Sequence, residues 1–427
     1  MSSNHASADI LATRQATLAD PLTLPSGAVI KNRILKGAMN EALGDRGAHP
    51  TEPLVNLYRH WASGGTGLLL TGNVMVDPRQ LGEPGNVAVE DETDMDMLRQ
   101  WAQAGTENGA ALWMQINHPG KQSPRTINQH PVAPSAIGFG GKYERFFSMP
   151  RELSRGEIEA IVGRFARTAV IARDAGFTGV EIHGAHGYLV NQFLSPLDNH
   201  RTDEYGGSLE NRMRFLTQIY RAMRDALGDD FPIGLKLNSS DGVEGGFSEQ
   251  DALSVIETMA AMGLDLVEIS GGTYTKPPVD VVDGVDPRRG TIFFLDFARR
   301  LQGRVDIPVA LTGGFLAAPD MEEVLASGAA DMIGIGRGLV VSPDLPNKIL
   351  DGGSHETVSL PRVTTPVSAV DRALGSILVI SWYEHQMCRL AEGKQVASSG
   401  DATVALMSTL RSHGLGALAP RRNSGRK

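Results

Sequence analysis

Eight short apolar runs alternate with segments of helical periodicity along most of the chain, and this alternation constrains the fold more than any other feature of the sequence. Each run is rich in β-branched residues or leucine, which is typical of buried parallel strands. The runs are Arg33–Met39, Gly67–Thr71, Ala110–Gln115, Gly179–His183, Ile233–Asn238, Leu264–Ser270, Ile307–Thr312 and Met332–Gly336. Apolar residues recur three to four positions apart in the intervening segments and predict helices there. These predicted helices are Thr51–Ser63, Asp91–Asn108, Ser154–Ala175, Ser208–Leu227, Ser248–Met262, Phe293–Leu301 and Pro319–Ser327.

Repeated strand–helix units favour an α/β fold of the closed (β/α)8 TIM-barrel type, whose core needs about 250 residues. The alternative is a doubly wound open sheet, which usually carries a glycine-rich nucleotide turn after its first strand. Here the first strand ends in "GAMNEALG", so we predict the barrel. "LTLPSGAVI" (Leu22–Ile30) predicts an N-terminal hairpin at the bottom of the barrel, and Ser368–Glu392 predicts a C-terminal helical extension.

The sequence shows no linker that would divide the barrel into two domains. We expect a flexible N-terminus over residues 1–20, a barrel with its C-terminal helix over residues 21–400, and a basic, disordered tail over residues 401–427. From Ala402 onward the tail has no acidic residue but contains four arginines and one lysine.

Composition excludes several classes of protein. No run of about eighteen apolar residues is present, so no membrane-spanning helix is expected. The N-terminus lacks the pattern of a secretory signal, and a cytoplasmic location is the default expectation. The formal net charge of −9 argues against a general affinity for nucleic acid. Because Cys388 is the only cysteine, the chain holds neither an intrachain disulfide nor a four-cysteine iron–sulfur site.

The catalytic residues of a barrel enzyme lie at the C-terminal ends of its strands. In this chain those ends carry amides, histidines, one lysine and one tyrosine, without a cluster of carboxylates. The candidates are Met39, Asn40, Asn73, Gln115, His118, His183, His186, Tyr188, Lys236, Asn238, Ser270, Thr312, Gly313, Gly314, Gly336 and Arg337.

The last two strands end in "LTGGF" and "IGIGRG", which suits a phosphate site. Glycines let backbone N–H groups approach an anion, and Arg337 can bind a phosphate through two hydrogen bonds. The loops after strands seven and eight are also the usual phosphate site of this fold. The alternative is that the glycines only make tight turns and that Arg337 pairs with a carboxylate.

The stretch "EIHGAHGYL" places His183 and His186 at the end of the fourth strand, followed by Tyr188. With His118 the pair could begin a metal site, but a metal hydrolase needs further ligands. No metal is therefore expected. An organic hydride carrier with a phosphate tail suits the side chains at the strand ends better.

Several blocks of sequence resemble the old yellow enzyme family, which comprises FMN-dependent NAD(P)H oxidoreductases and ene-reductases. The resemblance runs from about Pro21 to Pro346, and its most specific part is "AGFTGVEIHGAHGYLVNQFLSPLDNHRTDEYGGSLENRMRF" (Ala175–Phe215). The other blocks are "IKNRI", "GGTGLLLTG", "QINHPGK", "GLKLN", "TGGF" and "IGIGRG".

The resemblance implies bound FMN, NADH or NADPH as the reductant, and an electrophilic alkene as the substrate. The implied FMN-binding residues are Ala38, Met39, Asn40, Asn73, Gln115, Lys236, Gly313, Gly314, Gly336 and Arg337. Among them, Lys236 holds the position whose cation faces flavin N1. His183 and His186 match the pair that binds the substrate's carbonyl or nitro oxygen, and Tyr188 matches the proton donor.

The chain also departs from the family pattern. Many members carry Pro at the position of Ala38 and Thr or Cys at that of Asn40, and some carry an aromatic residue at that of Ala42. The alternatives left open are a family-related dehydrogenation or N-demethylation, a flavin-binding protein without turnover, and a metal-dependent hydrolase or lyase. A homo-oligomer is compatible with the sequence. The loops Gly138–Arg151 and Gly272–Asp286 are expected to decide the substrate and the nicotinamide preference.

Overall fold

The computed structural model describes residues 15–272, 292–353 and 355–414. Eight parallel strands form a closed ring in which each strand pairs with the next and the eighth returns to the first. The strands are β1 (Ile34–Lys36), β2 (Leu68–Leu70), β3 (Ala111–Asn117), β4 (Gly179–Gly184), β5 (Ile233–Asn238), β6 (Leu266–Ser270), β7 (Val309–Thr312) and β8 (Met332–Ile335). The predicted TIM barrel is confirmed.

Helices follow the strands and cover the outside of the barrel. They are α1 (Glu52–Ser63), α2 (Met95–Gly105), α3 (Arg155–Ala175), α4 (Leu189–Leu194), α5 (Leu209–Leu227), α6 (Glu249–Ala261), α7 (Leu295–Leu301), α8 (Ala318–Ala326), α9 (Arg337–Val341), α10 (Leu345–Leu350), α11 (Ser368–Leu374), α12 (Ser376–Ala391) and α13 (Thr403–His413). The helix α3 begins with a capping box, in which the Ser154 side chain accepts the backbone N–H of Glu157 and the Glu157 side chain accepts the backbone N–H of Ser154. Among the described residues, no helix has the length and apolar character needed to cross a membrane.

Two predicted helices are interrupted. The segment predicted as Asp91–Asn108 consists of α2 with a 3-10 turn on each side, and Asn108 in the second turn adopts a left-handed φ of 55°. The predicted C-terminal helix divides into α11 and α12 at Gly375, where φ is 38°. Only glycine adopts such a conformation without strain, and the helix cannot continue through it.

The predicted hairpin is present and closes the N-terminal end of the barrel. Leu22–Thr23 pairs antiparallel with Val29–Ile30. The backbone N–H of Ser26 donates to the carboxylate of Asp265, which directly precedes β6, at 2.8 Å. Buried hairpin side chains, including Leu22, pack into one apolar cluster with Trp113 inside the barrel.

Both predicted terminal boundaries need correction. Leu18 is fully buried, and its carbonyl accepts a hydrogen bond from Arg33, so the ordered structure begins before residue 21. The predicted disordered tail is wrong for α13, which packs on α12 and buries Ala402, Ala405 and Thr409. Small residues at this spacing give a weak apolar signal, although they let two helices approach closely. Residues 1–14 and 415–427 lie outside the described residues.

Trp113 fills the interior of the barrel because glycines face it on two neighbouring strands. A Cβ added at Gly179 on β4 would lie 2.4 Å from the indole nitrogen, and one at Gly234 on β5 would lie 2.7 Å from the ring. Both distances are shorter than van der Waals contact permits, so these positions exclude any larger residue.

We predict that Gly179→Ala lowers the free energy of unfolding by about 1–3 kcal/mol, the usual cost of overpacking a core. Gly163→Ala is the matched control, because Gly163 is exposed within α3 and an added methyl group meets nothing within 4 Å. The control should gain about 0.5–1 kcal/mol from its better helix propensity. Urea unfolding of both variants measures the difference, and equal midpoints would contradict the packing argument.

Candidate active site

The turns after β7 and β8 lie side by side at one corner of the barrel mouth. Gly313 and Gly314 have φ values of 122° and 92°, which favour glycine, and the adjacent strands hold these turns beside Gly336 and Arg337. Arg337 is half-buried and makes no hydrogen bond or ion pair with any residue in the described ranges. The alternative, in which Arg337 pairs with a carboxylate of the protein, therefore finds no such pair among the described residues.

The end of β1 lies next to this corner because the barrel closes between β8 and β1. The N–H of Gly37 donates to the carbonyl of Ile335 at 3.0 Å. Met39 follows, and its sulfur would lie 3.7 Å from a Cβ placed on Gly336. Ala38, Met39 and Asn40 are all half-buried there, at the positions expected beside a flavin ring.

Two side-chain pairs place polar groups inside the barrel below these turns. Lys236 Nζ lies 2.6 Å from Glu268 Oε1 on the neighbouring strand. Gln115 Nε2 donates to Glu181 Oε2 at 2.7 Å. All four side chains are buried, and the second oxygen of each carboxylate has no hydrogen-bond partner among the described residues. Burial first, and then the charge of Glu268, raise the pKa of Glu181 well above its usual range.

The structure brings His183, His186 and Tyr188 together at the end of β4. The ring centroids of the two histidines are 5.0 Å apart, and those of His183 and Tyr188 are 4.9 Å apart. His183 Nδ1 accepts from the backbone N–H of Ala185 at 3.3 Å, so the neutral ring carries its proton on Nε2. His186 Nε2 lies 2.7 Å from Ser270 Oγ. The two imidazoles are therefore held by different partners.

A buried polar network holds the turn that carries these rings. His186 has a left-handed φ of 63°, and its backbone N–H donates to Asn238 Oδ1 at 3.1 Å. Asn238 Nδ2 in turn lies within 3.3 Å of both Asn191 Oδ1 and Asp241 Oδ1. Burial raises the pKa of Asp241, while its hydrogen bonds oppose that rise. The strained turn persists because β5 and α4 fix it from two sides.

His118 directly follows β3, and its buried side chain bonds the backbone of the next turn. Its Nδ1 accepts the backbone N–H of Gly120 at 3.0 Å, and its side chain is buried. Burial lowers the pKa of His118 to about 4. Within the described ranges, no three His, Cys, Asp or Glu side chains are grouped to hold a metal ion.

Sequence reasoning missed four polar residues near the site: Glu181, Glu268, Asn86 and Glu384. The first two left a signal, because a glutamate inside the apolar runs "GVEIHG" and "LVEIS" must have a buried partner. Asn86 lies in a loop and Glu384 on α12, and neither position is marked by a pattern. Most of the loop Gly272–Asp286, expected to influence specificity, lies outside the described residues.

The sequence profile of the NADH:flavin oxidoreductase / NADH oxidase family matches residues 17–356. The chain belongs to this family. Its members of old yellow enzyme type are flavin-dependent oxidoreductases, and the predicted resemblance is confirmed.

Two curated relatives illustrate the range of the family. The chain is 36% identical over 375 residues to the NADH-dependent flavin oxidoreductase iliE of Hypocrea jecorina, covering 81% of this chain and 93% of that protein. It is 35% identical to the NADH oxidase of Thermoanaerobacter brockii. That match covers 77% of this chain and 50% of the oxidase. The chain thus spans nearly all of one relative and about half of another.

Solved structures agree with the barrel. The old yellow enzyme homologue of Zymomonas mobilis superimposes with a TM-score of 0.68 at 25% identity, covering 80% of this chain and 94% of that one. A 2-naphthoyl-CoA reductase superimposes with a TM-score of 0.73 at 26% identity, covering 79% of this chain and 52% of that one.

The neutral state of His118 predicts a pH dependence of stability. Its pKa is about 4 in the folded chain and about 6.5 unfolded, so the unfolded chain binds more protons between these values. The contribution of His118 to the free energy of unfolding is therefore fully present above about pH 6.5 and is lost as the pH falls toward 4. About 2 kcal/mol of it is lost at pH 5.

The measurement compares urea unfolding of the wild type with that of His118→Asn at pH 7 and pH 5. Asparagine keeps an acceptor for the N–H of Gly120 but does not titrate. From pH 7 to pH 5, the free energy of unfolding should fall by about 2 kcal/mol less in the variant than in the wild type. An identical loss in both proteins would assign the acid sensitivity to other groups.

Proposed function

We propose that this chain binds FMN and reduces alkenes activated by a carbonyl or nitro group, with NADH or NADPH as the reductant. The observation that supports this most directly is the grouping of His183, His186 and Tyr188 beside Lys236. The register pairs Lys236 with His183 on neighbouring strands, so a cation and a proton donor lie at one mouth of the barrel. Bound FMN would supply a carrier that takes hydride from the nicotinamide and gives it to the alkene.

The donor set of the site fits FMN. Arg337 and the turns Gly313–Gly314 and Gly336 would hold the phosphate, since a half-buried guanidinium without a described carboxylate partner suits an anion. Gln115 and Lys236 would serve the ring. A cation at the position of Lys236 favours the reduced, more negative form of a flavin. Glu268 weakens this effect, because its carboxylate lies 2.6 Å from the ammonium.

The histidines would bind the oxygen that activates the alkene. The assigned proton on His183 Nε2 makes that atom a donor. Negative charge develops on the substrate oxygen as the β-carbon receives hydride, and a positioned donor stabilises that charge. His186 can contribute Nδ1–H if Ser270 donates to its Nε2.

Tyr188 would then act as the general acid. Its O–H bond breaks, the proton forms a C–H bond at the α-carbon, and the electron pair stays on the phenol oxygen. Water or buffer afterwards returns a proton to the oxygen. A phenol is protonated at neutral pH because its ordinary pKa is about 10. The α- and β-carbons of the product each gain one hydrogen.

The central test is anaerobic spectroscopy of the purified yellow protein. NADH or NADPH should bleach the flavin, and enones or nitroalkenes should restore its colour. A reduced flavin that no activated alkene reoxidises would overturn the proposed substrate class and favour a flavoprotein with another electron acceptor. A colourless protein that does not take up added FMN would overturn the cofactor.

For Tyr188→Phe we expect bleaching by NADH or NADPH at close to the wild-type rate. Reoxidation by an enone should slow by about 10²–10⁴-fold, the usual contribution of a general acid. Stopped-flow absorbance separates the two half-reactions. Unchanged enone reduction would remove Tyr188 from the acid role while leaving the flavin assignment intact.

For Lys236→Met we expect a lower midpoint potential of bound FMN, because the variant lacks the cation that favours the reduced form. A change of about 30 mV corresponds to about 1.4 kcal/mol for a two-electron couple. Glu268→Gln is the complementary variant and should raise the potential, since the ammonium is then less neutralised. Equal potentials in all three proteins, measured with reference dyes, would show that neither charge acts on the flavin.

A further inference from the structure

A chain of three asparagines connects Tyr188 to the C-terminal helix α12. Asn73 Nδ2 lies 3.5 Å from the Tyr188 hydroxyl oxygen. Asn86 Nδ2 lies 3.3 Å from Asn73 Oδ1 and 3.1 Å from Asn40 Oδ1. Asn40 Nδ2 lies 3.0 Å from Glu384 Oε1 on α12. Residues from the loops after β1 and β2 and from α12 thus meet in one hydrogen-bonded path.

The orientation of Asn86 is fixed by the backbone. Its Oδ1 accepts the N–H groups of Gly82 at 3.1 Å and Glu83 at 2.7 Å. An amide turned the other way would place its own N–H group against both of these donors. The Asn86 NH2 group must therefore face Asn73 and Asn40, and both must present their oxygens to it.

Two carboxylates fix the orientation of the Asn40 amide, with its oxygen toward Asn86. Its Nδ2 donates to Glu83 Oε2 at 2.7 Å and to Glu384 Oε1 at 3.0 Å, which leaves its oxygen for Asn86. These bonds occupy both hydrogens of the Asn40 amide. Asn40, one of the implied FMN-binding residues, is thus tied to α12 in this chain.

Asn73 receives its orientation from Asn86. Because Asn73 Oδ1 accepts from Asn86, its NH2 group is directed at the oxygen of Tyr188. In this contact Tyr188 is an acceptor, so its own proton is not used there. Within the path Asn86 is 3% exposed and Glu384 is 6% exposed, while Asn73 and Tyr188 are half-buried. Hydrogen bonds to a charged oxygen are strong in such surroundings.

We propose that Asn86 is a positioning residue that aims the Asn73 amide N–H at Tyr188, where it stabilises the oxyanion left when Tyr188 gives up its proton. The proposal deepens the function proposed above and rests on it for the role of Tyr188 as the acid. Asn73 is the donor in contact with the acid. Asn86, Asn40 and Glu384 prevent that donor from turning round.

The test is 19F NMR of the FMN-loaded protein containing 3-fluorotyrosine, with the signal of residue 188 assigned by its loss in Tyr188→Phe. A titration gives the pH at which this phenol ionises and does not depend on any turnover. Asn86→Asp keeps an acceptor for Gly82 and Glu83 but presents a second oxygen to Asn73. Asn73 should then reverse and offer its own oxygen to Tyr188.

We expect the titration midpoint of Tyr188 to rise by about one pH unit or more in Asn86→Asp, since a charged hydrogen bond is lost and a charge is added. Asn73→Ala isolates the first effect, because it removes the donor without adding charge, and should also raise the midpoint. The matched control is Asn128→Asp. Asn128 is likewise buried, accepts a backbone N–H from His130 and donates to Gln80.

The control should leave the midpoint of Tyr188 where it is in the wild type. Unchanged midpoints in both Asn86→Asp and Asn73→Ala would overturn the proposal. If Asn86→Asp does not fold, Asn73→Ala decides alone. A variant that only loosens the loop would lower thermal stability without moving the midpoint.

A kinetic measurement distinguishes this proposal from the proposed function. Single-turnover reoxidation of the reduced enzyme by 2-cyclohexenone should slow in Asn73→Ala at neutral pH, and the alkaline fall of its rate should move to higher pH. If cyclohexenone and nitroalkenes fail even with the wild type, the proposed substrate class fails, while the NMR titration still decides whether Asn86 and Asn73 act on Tyr188.

Discussion

Closure of the parallel sheet between β8 and β1 is the constraint on which the site depends. All eight strands run in the same direction, so closing the ring gathers their C-terminal ends at one mouth. Met39 and Gly336 are about three hundred positions apart in the chain, yet the pairing of Ile335 with Lys36 places them side by side. If the sheet kept this strand order but stayed open, β1 and β8 would lie at opposite edges, and the turns after β7 and β8 would be far from the turn after β1.

Charge inside and around the barrel is accommodated by pairing. Lys236 with Glu268 and Gln115 with Glu181 occupy neighbouring strands, where the parallel register brings side chains face to face. A similar arrangement surrounds Lys36, which lies against Tyr58 and 3.5 Å from Glu41. Burial lowers the pKa of Lys36 to about 8, and Glu41 opposes that change. Such groups cost desolvation energy, so their presence in a core favours a role in charge placement over one in stability.

Sequence periodicity was sufficient to predict the barrel, because each strand must be apolar on both faces and each helix on one. The order of the strand ends also predicted that Gly313 and Arg337 would lie together and that His183, His186 and Tyr188 would share a turn. The roles of these residues came from the family resemblance. The contact of Glu384 with Asn40 could not be predicted, since it depends on how a helix after the barrel packs on α1 and α9. The helix α13 was missed because its buried positions include the small residues Ala405 and Thr409, while the larger apolar residues Val404 and Met407 are exposed.

The helix α12 lies beyond residue 356, where the match to the family profile ends, yet it reaches the C-terminal mouth of the barrel at two points. Glu384 contacts Asn40, and Tyr383 is close enough to Arg337 for the guanidinium to oppose the rise in the tyrosine's pKa that burial causes. A segment outside the shared barrel therefore contacts Asn40 and approaches Arg337. Under the function proposed above, a substitution in α12 can therefore change the surroundings of the flavin while every strand of the barrel keeps its sequence.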